Sequence, residues 1–338
     1  MAKISTKGDK IVEYVNFGAA GVQVSRLAFG LGFRGQPDEA EAQRVIEHAF
    51  ELGINLIDCA NWYGPMDDRA NQGRSEVILG KALKGKRDNV VITTKVAAPT
   101  GSGPNDEGLS RYHIMREVER SLKRLDTDHV DVYLVHRFDE LTPLEETIRT
   151  LDDIVRAGKA RYVGCCNYAA WQVCKSHWIA DKHNVTPYMC VQNLYNLLNR
   201  QMEGEMFSLV RDMGLGAMAF SPLAVGLFSG VYSPDRPPPS GTLFAGREDD
   251  FTRMMEERSA QVITTVRQLA DELGKTPAQL AIAWVLSHPE ITVAISGADT
   301  IEHLNDNIGA VGWTLDDSVR EKLDAVSESF VGRPQGSF

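Results

Sequence analysis

The sequence predicts an α/β protein with the fold of a (β/α)8 TIM barrel, preceded by an N-terminal β-hairpin cap and followed by extra C-terminal helices. Short runs of Val, Ile and Leu recur along the chain, and segments with apolar residues at helical spacing separate them. Continuous apolar runs are typical of parallel strands that are buried on both faces. The length of 338 residues and the hydrophobic content of 43% are sufficient for one such barrel.

A hairpin is predicted first, with strands near residues 14–17 and 22–25 on either side of a turn of small residues. Eight barrel strands are predicted after it, because each run is short, apolar and bounded by polar or glycine-rich segments. These strands cover residues 27–31, 56–59, 90–94, 130–135, 160–164, 189–191, 216–220 and 292–295.

Helices are predicted between the strands. The first begins after Pro37 and Asp38, which are start signals, and ends at Gly53, which is a stop signal. The other helices cover residues 75–83, 110–125, 143–157, 169–182, 203–213, 259–273 and 277–287, and two more, 300–308 and 316–327, follow the last strand.

Three connections are too long for simple turns: residues 65–73, 97–109 and 221–258. All three follow strands, and the loops after the strands build the sites of barrels of this type. The proline-rich part of the third loop indicates a mobile segment or lid. We therefore predict a single barrel domain over residues 1–338, with an N-terminal segment at 1–26 and a long loop at 221–258 that covers a ligand.

Charge and cysteine content narrow the functional class. The chain has 36 Lys and Arg against 46 Asp and Glu, and a net charge of −10 argues against nucleic-acid and anionic-membrane surfaces. The five cysteines show no zinc-ligand spacing, so we expect free thiols and no metal. No signal-peptide core or run of transmembrane length is present, which predicts a cytoplasmic protein. A homo-oligomer is compatible with the sequence.

Polar residues at strand ends indicate where the chemistry lies. Asp58 ends the second barrel strand, with Tyr63 on the loop after it, and Lys95 and His136 end the next two strands. A single strand-end aspartate or histidine usually has a structural role. Residues of this kind on consecutive strands are harder to explain by packing, because each buried charge needs a partner. Asp58 and Lys95 can be that pair.

This set of side chains suits proton transfer at a carbonyl or alcohol oxygen. An unperturbed tyrosine has a pKa near 10, and a neighbouring ammonium lowers that pKa by favouring the phenolate. Asp58 would fix Lys95, and His136 could orient the substrate oxygen of a small carbonyl or alcohol. Such a reaction also needs a hydride partner, which no side chain supplies. A nicotinamide cofactor is therefore implied.

Seven motifs together resemble the aldo-keto reductase superfamily over nearly the whole chain. They are GINLIDCANWYG, VVITTKV, DVYLVHRFD, GKARYVGCCNY, VQNLYNLLNR, FSPLAVGLFSG and ISGADTIEHLNDN. The loop GPNDEGLSRYHI is similar to the branch containing potassium-channel β-subunits, aryl-alcohol dehydrogenases and glyceraldehyde-phosphate reductases. The resemblance implies that Tyr63 is the general acid/base, that Asp58 and Lys95 tune it, and that His136 orients the carbonyl. The channel subunits usually have asparagine at the histidine position, so His136 favours an enzyme.

The resemblance also implies contacts with an NADP(H) or NAD(H) cofactor. Cys166 and Asn167 stand where a Ser-Asn pair holds the nicotinamide carboxamide, and a thiol is the weaker hydrogen-bonding group. Phe220 stands where an aromatic ring stacks on the nicotinamide. The remaining implied contacts are Gln192 at the carboxamide, Phe33 and Arg34 beside the ribose, and Ser221, Pro222, Leu223, Ala224 and Val225 at the pyrophosphate. Trp62, next to Tyr63, is expected to line the substrate pocket.

The adenosine end leaves the choice between the two cofactors open. The residues implied there are Gly297, Asp299, His303, Asp306 and Asn307. Relatives that bind NADPH commonly have a lysine where this chain has Val231, and a basic or small polar residue at the Asp299 position. A carboxylate repels a 2′-phosphate but can accept a hydrogen bond from a 2′-hydroxyl. The family as a whole favours NADP(H), whereas the local charge favours NAD(H). Arg247, on the long loop, could compensate for the negative charge of Asp299.

Three other interpretations are weaker. Residues 30–35 match the dinucleotide pattern GxGxxG, but the helix begins only after the third glycine, at Pro37 and Asp38. A metal-dependent barrel hydrolase would need clustered ligands at strand ends, and the first strand ends in Gly-Leu-Gly. A regulatory subunit that binds the nucleotide with little turnover is the remaining alternative, and the intact tyrosine, lysine, aspartate and histidine set argues against it.

Two further expectations concern residues outside the site. Trp171 and Trp178 lie seven residues apart on one predicted helix, which places them on the same face, and we expect this face to point into the core. His113 is expected at the surface of its helix.

Overall fold

The computed structural model describes residues 12–331, so residues 1–11 of the predicted N-terminal segment, and residues 332–338, lie outside the described part. Eight parallel strands form a closed barrel, in which each strand pairs with the next one along the chain and the last pairs with the first. This confirms the predicted (β/α)8 TIM barrel. The barrel strands are β3 Leu27–Gly30, β4 Leu56–Asp58, β5 Val91–Val96, β6 Val130–Val135, β7 Ala160–Cys166, β8 Cys190–Leu194, β9 Gly216–Phe220 and β10 Val293–Gly297.

The helices surround the barrel close to their predicted positions. Asp38 caps the first one, accepting hydrogen bonds from the N–H groups of Ala40 and Glu41, as its place before the apolar pattern indicates. The helices are α1 Glu39–Glu51, α2 Arg74–Ala82, α3 Arg111–Leu125, α4 Leu144–Arg156, α5 Ala170–His183, α6 Glu205–Met213, α7 Glu248–Met254, α8 Glu257–Leu273, α9 Pro277–Leu286, α10 Ile301–Ile308 and α11 Asp317–Val326.

The predicted hairpin closes the amino-terminal end of the barrel. Its strands, β1 Tyr14–Asn16 and β2 Gln23–Ser25, pair antiparallel. Phe17 in the connecting turn is fully buried and belongs to the apolar cluster inside the barrel. Its ring lies against Gly216, the first residue of β9, where a Cβ atom would come within 2.5 Å of the ring. Since this end is plugged, the opposite end, where the strands finish, is left for a site.

The long loop at 221–258 contains a helix that the sequence did not reveal. Helix α7 occupies Glu248–Met254, and three consecutive acidic residues form its first turn. Their negative charges interact favourably with the positive end of the helix dipole. Phe251 on this helix is buried against Tyr232 and Phe244 of the same loop. A small aromatic cluster therefore orders a segment that its prolines and glycines predict to be irregular.

Two expectations about side-chain burial are wrong. Trp171 and Trp178 share one face of α5, but they are 55% and 63% exposed, because the buried face of this helix is formed by Val173, Ile179 and their neighbours. A spacing of seven identifies a shared face without identifying the side on which the core lies. His113 is fully buried on α3 and not at the surface.

Candidate active site

The barrel brings the four candidate catalytic residues to one mouth. Asp58 is the last residue of β4, Lys95 is the last but one of β5, and His136 follows β6 directly. Tyr63 lies on the loop after β4, where its N–H donates to the carbonyl of Ala60. Because parallel strands in a barrel end at the same face, adjacent strands deliver these side chains to one place.

A buried ion pair forms the base of the site. The Lys95 Nζ atom lies 2.6 Å from Asp58 Oδ2 and also donates to the Cys59 carbonyl at 2.9 Å. The other carboxylate oxygen of Asp58 accepts hydrogen bonds from the Thr93 hydroxyl at 2.5 Å and from Gln192 Nε2 at 2.8 Å. Both carboxylate oxygens are therefore satisfied, which is what a buried charge requires.

The charge of Lys95 is retained by this pairing. Burial by itself lowers the pKa of Lys95, but the Asp58 carboxylate, with smaller contributions from Tyr63 and Cys166, outweighs burial and holds that pKa above its usual range. An ammonium is consequently present beneath the tyrosine at neutral pH.

Tyr63 lies between the ammonium and the histidine. Its hydroxyl is 3.3 Å from His136 Nε2, and its ring centroid is 4.6 Å from Lys95 Nζ. Burial raises the pKa of Tyr63, and Lys95 acts against burial without reversing it, so the pKa lies above its usual value. Lys95 lowers the pKa of Tyr63, as expected. The expected net lowering of that pKa is wrong, because burial disfavours the phenolate more than Lys95 favours it.

His136 is neutral in this environment. Burial, together with the charge of Lys95, lowers its pKa to about 3. The Asn167 side chain donates to the backbone carbonyl of His136 at 2.9 Å, which ties the end of β6 to the end of β7. A neutral imidazole can donate one hydrogen bond to a substrate oxygen without carrying a charge.

The candidate nicotinamide-binding residues lie on the next three strands or directly after them. Cys166 ends β7 and is fully buried, and Asn167 follows it with a φ of 57°. Gln192 on β8 uses its Nε2 atom to bind Asp58, which connects this group to the ion pair. Phe220 ends β9 with a half-buried side chain.

The turn after β9 has an unusual backbone. Ser221, Ala224 and Val225 all have positive φ values, of 56°, 47° and 57°, and Pro222 and Leu223 lie between them. A β-branched residue such as Val225 rarely adopts this conformation. The Ser221 hydroxyl accepts a hydrogen bond from the Val225 N–H at 3.2 Å, which helps to hold the turn. Strained backbone of this kind is concentrated at binding sites.

The residues expected at the adenosine end follow β10. The Asp299 carboxylate accepts a hydrogen bond from the Gly35 N–H at 3.2 Å and so joins the loop after β3 to the loop after β10. Burial raises the pKa of Asp299, while this hydrogen bond and the charges of His303 and Arg34 act in the opposite direction. His303 is exposed on α10.

Two of the expected adenosine residues have structural contacts. The Asp306 carboxylate accepts hydrogen bonds from the Thr276 hydroxyl at 2.8 Å and from Gln279 Nε2 at 3.0 Å, next to the N-terminus of α9. The Asn307 side chain donates to the Gly297 carbonyl at 3.1 Å, which fixes α10 to the end of β10.

A cavity of about 480 Å³ lies under the long loop. Arg34 and Val225, two candidate cofactor residues, line it together with Asn199 and with loop residues that include Phe244 and Arg247. Phe33, next to Arg34, is buried with a φ of 46° and accepts a hydrogen bond from the Met66 N–H through its carbonyl. The long loop therefore forms one wall of a cavity that two of the candidate cofactor residues also line.

Trp62 is half-buried beside Tyr63. Its indole N–H is buried and has no hydrogen-bond partner within residues 12–331. A buried indole donor usually has a partner, so this atom is suited to a polar ligand group.

Sequence reasoning missed two parts of the site. Thr93, which donates to Asp58, lies two residues before Lys95 and therefore points to the same side of β5, so strand alternation could have identified it. Asn61 and Glu117 form a buried hydrogen bond at 3.2 Å next to the tyrosine loop. Glu117 lies on α3, outside the barrel, and no local sequence pattern connects it with the loop.

Residues 12–331 contain neither a membrane-spanning helix nor a cluster of metal ligands. No helix there is both long and apolar enough to cross a bilayer. No group of three or more His, Cys, Asp and Glu side chains in that range comes together as a metal site.

Comparison with known proteins decides the family. The model of the aldo/keto reductase family matches residues 26–328. The chain belongs to the aldo/keto reductase family. Members of this family are oxidoreductases that generally use NAD(P)H.

Relatives of this aldo/keto reductase include an oxidoreductase and two proteins described as probable potassium channel subunits. The chain is 39% identical over 323 residues to the uncharacterized oxidoreductase YrpG of Bacillus subtilis, covering 93% of this chain and 96% of the relative. It is 35% identical to a probable voltage-gated potassium channel subunit beta of Arabidopsis thaliana, over 96% of this chain and 99% of that protein. A protein of the same description from rice is 34% identical, with 94% and 97% covered. These relatives agree with the branch that the motifs indicate.

Proposed function

We propose that this protein is an NAD(P)(H)-dependent oxidoreductase that interconverts an aldehyde or ketone and its alcohol, with Tyr63 as the general acid/base. One observation carries the proposal: the Tyr63 hydroxyl lies 3.3 Å from His136 Nε2, above the buried pair of Lys95 and Asp58. A hydroxyl, a neutral imidazole and an ammonium thus converge where a substrate oxygen could accept hydrogen bonds from the first two.

Each side chain has a distinct part in the proposed reduction. The chemistry that a bound nicotinamide supplies is transfer of a hydride to the carbonyl carbon. Tyr63 donates its proton to the carbonyl oxygen as the C–O double bond becomes a single bond, and Lys95 stabilises the phenolate that remains. His136 donates a hydrogen bond to the same oxygen and orients it. Alcohol oxidation uses the same groups in reverse, with Tyr63 accepting the proton.

The raised pKa of Tyr63 fits a proton donor. A phenol that is protonated at neutral pH can give up its proton when negative charge develops on a nearby oxygen. The ammonium of Lys95 lowers the cost of the resulting phenolate, since it opposes the effect of burial on the Tyr63 pKa.

The described residues fit a dinucleotide. Cys166, Asn167, Gln192 and Phe220 follow one another at the ends of β7, β8 and β9, which supports contacts with a nicotinamide ring and its carboxamide. The strained turn at 221–225 supports a pyrophosphate contact, and the cavity under residues 221–258 supports a covering role for that loop within a single barrel domain. Gly297 and the residues of α10 complete the proposed set.

The proposal includes both NADP(H) and NAD(H). The Asp299 carboxylate next to Gly35 disfavours a 2′-phosphate, while Arg34, His303 and Arg247 supply positive or titratable groups at this end. Titration of the protein with NADPH and NADH, followed by fluorescence, decides between them, and a strong preference for NADPH would remove the argument from Asp299.

Tyr63→Phe tests the catalytic part. General acid catalysis contributes about 10²- to 10⁴-fold, so turnover of a carbonyl panel should fall by that factor. The Kd of the dinucleotide should change by less than about 2-fold, because the replaced hydroxyl is assigned to the substrate and not to the cofactor. Tyr112→Phe, at an exposed tyrosine on α3, is the control. Turnover that survives Tyr63→Phe would refute the proposed role.

A second candidate function is regulation through nucleotide binding. It is favoured by the two relatives described as probable potassium channel β-subunits. Wild-type protein that binds the dinucleotide but turns over no carbonyl or alcohol in the panel would support this candidate instead.

We also propose a cytoplasmic location and a small-molecule substrate. The support for the location is that all five cysteines are free thiols, four of them buried, which suits a reducing compartment. Iodoacetamide labelling of the protein in intact cells is expected to modify the exposed Cys174. A population in which Cys174 is oxidised, and therefore unlabelled, would contradict this location.

A further inference from the structure

Glu117 is a fully buried carboxylate on α3, a helix that packs outside the barrel. Its Oε2 atom accepts a hydrogen bond from Asn61 Nδ2 at 3.2 Å. Its Oε1 atom accepts hydrogen bonds from the Thr100 hydroxyl at 3.2 Å and from Arg120 at 2.8 Å. A buried carboxylate is costly unless it is paired, and Arg120 supplies its charge partner, so the contacts with Asn61 and Thr100 are additional to that ion pair.

The two residues held by Glu117 lie on the loops that follow β4 and β5, the strands that contain Asp58 and Lys95. Asn61 is two residues before Tyr63 and is 2% exposed, and its N–H donates to the Lys95 carbonyl at 3.5 Å. Thr100 lies four residues after the end of β5, the strand that contains Lys95. Glu117 therefore joins the tyrosine loop to the loop that follows the lysine strand.

We propose that Glu117 is a positioning residue, which sets the Tyr63 hydroxyl relative to Lys95 and His136 by holding Asn61 and Thr100. This inference rests on the proposed function of Tyr63. The hydroxyl must remain close to both His136 and the substrate oxygen, and misplacement by about 1 Å can cost about 100-fold in rate. The backbone bonds of the loop, from Tyr63 N–H to the Ala60 carbonyl and from Ser75 N–H to the Tyr63 carbonyl, do not hold the Asn61 side chain, which Glu117 does.

The experiment exchanges the amide donor and the carboxylate acceptor of the Asn61–Glu117 hydrogen bond. In Asn61→Asp two carboxylates face each other, and their repulsion moves the tyrosine loop. In the double variant Asn61→Asp with Glu117→Gln, the glutamine amide can donate to the new aspartate, and the pair has the same net charge as in the wild type. Glu117→Gln alone is the matched control, because Asn61 can turn its amide and present Oδ1, which has no partner within the described residues.

The readout is the single-turnover rate of NAD(P)H oxidation, measured by stopped flow with the aldehyde that the wild-type protein reduces fastest. Asn61→Asp should slow this rate by about 10- to 100-fold, while the double variant and Glu117→Gln stay within about 3-fold of the wild type. The dinucleotide Kd and the number of binding sites per chain should be unchanged in all three variants. A merely structural role would instead reduce the number of binding sites and leave the rate per site unchanged.

The outcomes separate this inference from the proposed function. If Tyr63→Phe abolishes turnover but Asn61→Asp reacts at the wild-type rate, or if the double variant stays as slow as Asn61→Asp, then Glu117 does not position the tyrosine. If Tyr63→Phe turns over normally, the proposed function itself fails. Should Asn61→Asp not fold, Thr100→Val removes one donor to Glu117 while keeping the shape of the side chain. It is expected to slow the single-turnover rate about 3-fold or more at unchanged Kd, and a wild-type rate would refute the inference.

Discussion

Replacing Lys95 by Met leaves an uncompensated charge inside the barrel. The Lys95 side chain is 0% exposed and that of Asp58 is 4% exposed, so water cannot take over the contact. Removing one partner of a buried ion pair costs about 3–5 kcal/mol of unfolding free energy. Asp58 keeps its hydrogen bonds from Thr93 and Gln192, which places the expected cost at the lower end, about 3 kcal/mol.

The double variant Lys95→Met with Asp58→Asn separates lost charge from lost packing. The neutral amide introduced at position 58 can still accept hydrogen bonds from Thr93 and Gln192, and the remaining cost is that of an imperfectly paired amide, about 1–2 kcal/mol. The double variant should therefore be more stable than the single variant by about 1–2 kcal/mol, although it carries one more substitution.

Urea denaturation at pH 7, followed by circular dichroism, measures both values. Lys84→Met, at an exposed lysine, is the control and should change stability by less than about 0.5 kcal/mol. If the double variant is no more stable than Lys95→Met, the cost does not come from an unpaired Asp58 carboxylate, and the account of the ion pair is refuted.

Two further predictions concern His136 and Cys166. Since the pKa of His136 is about 3 in the folded protein and near 6.5 when unfolded, stability falls as pH drops below about 6.5 while the unfolded state takes up the proton. Between pH 7 and pH 5 this loss is about 2 kcal/mol, and His136→Asn should remove it in urea denaturation, whereas parallel curves for the two proteins would contradict the buried neutral state. Cys166→Ser should tighten dinucleotide binding by about 3- to 10-fold in a fluorescence titration, because a hydroxyl forms a stronger hydrogen bond than a thiol. Cys174→Ser is the control, and unchanged affinity of Cys166→Ser would show that residue 166 does not bind the carboxamide.

The barrel could be predicted because each of its strands and helices has a sequence pattern within its own residues. Most strands contain a run of Val, Ile or Leu, and the alternation with helices determines the topology. The ends of the strands were predicted less accurately than their centres. Strands β5, β7 and β8 extend two or three residues beyond the predicted ends, to Val96, Cys166 and Leu194. Most of the added residues are polar or small, and they look like loop residues in the sequence although they pair within the sheet.

The ends of these strands are also where the candidate site lies. Lys95, Cys166 and Gln192 lie in the last residues of strands whose apolar pattern has already stopped, because a barrel can hold polar side chains at its open end. Proximity of the four candidate catalytic residues followed from strand order alone. Their hydrogen-bond partners did not, since the contact of Gln192 with Asp58 joins residues 134 positions apart.

The pKa of Tyr63 shows what sequence reasoning leaves out. A neighbouring lysine can be inferred from strand order, and its effect on the phenol has the inferred direction. Burial acts oppositely and more strongly, and it depends on the packing of the whole barrel mouth and not on local sequence. A phenol with a pKa near 10 is already protonated at neutral pH, so burial makes release of the Tyr63 proton harder and Lys95 makes it easier.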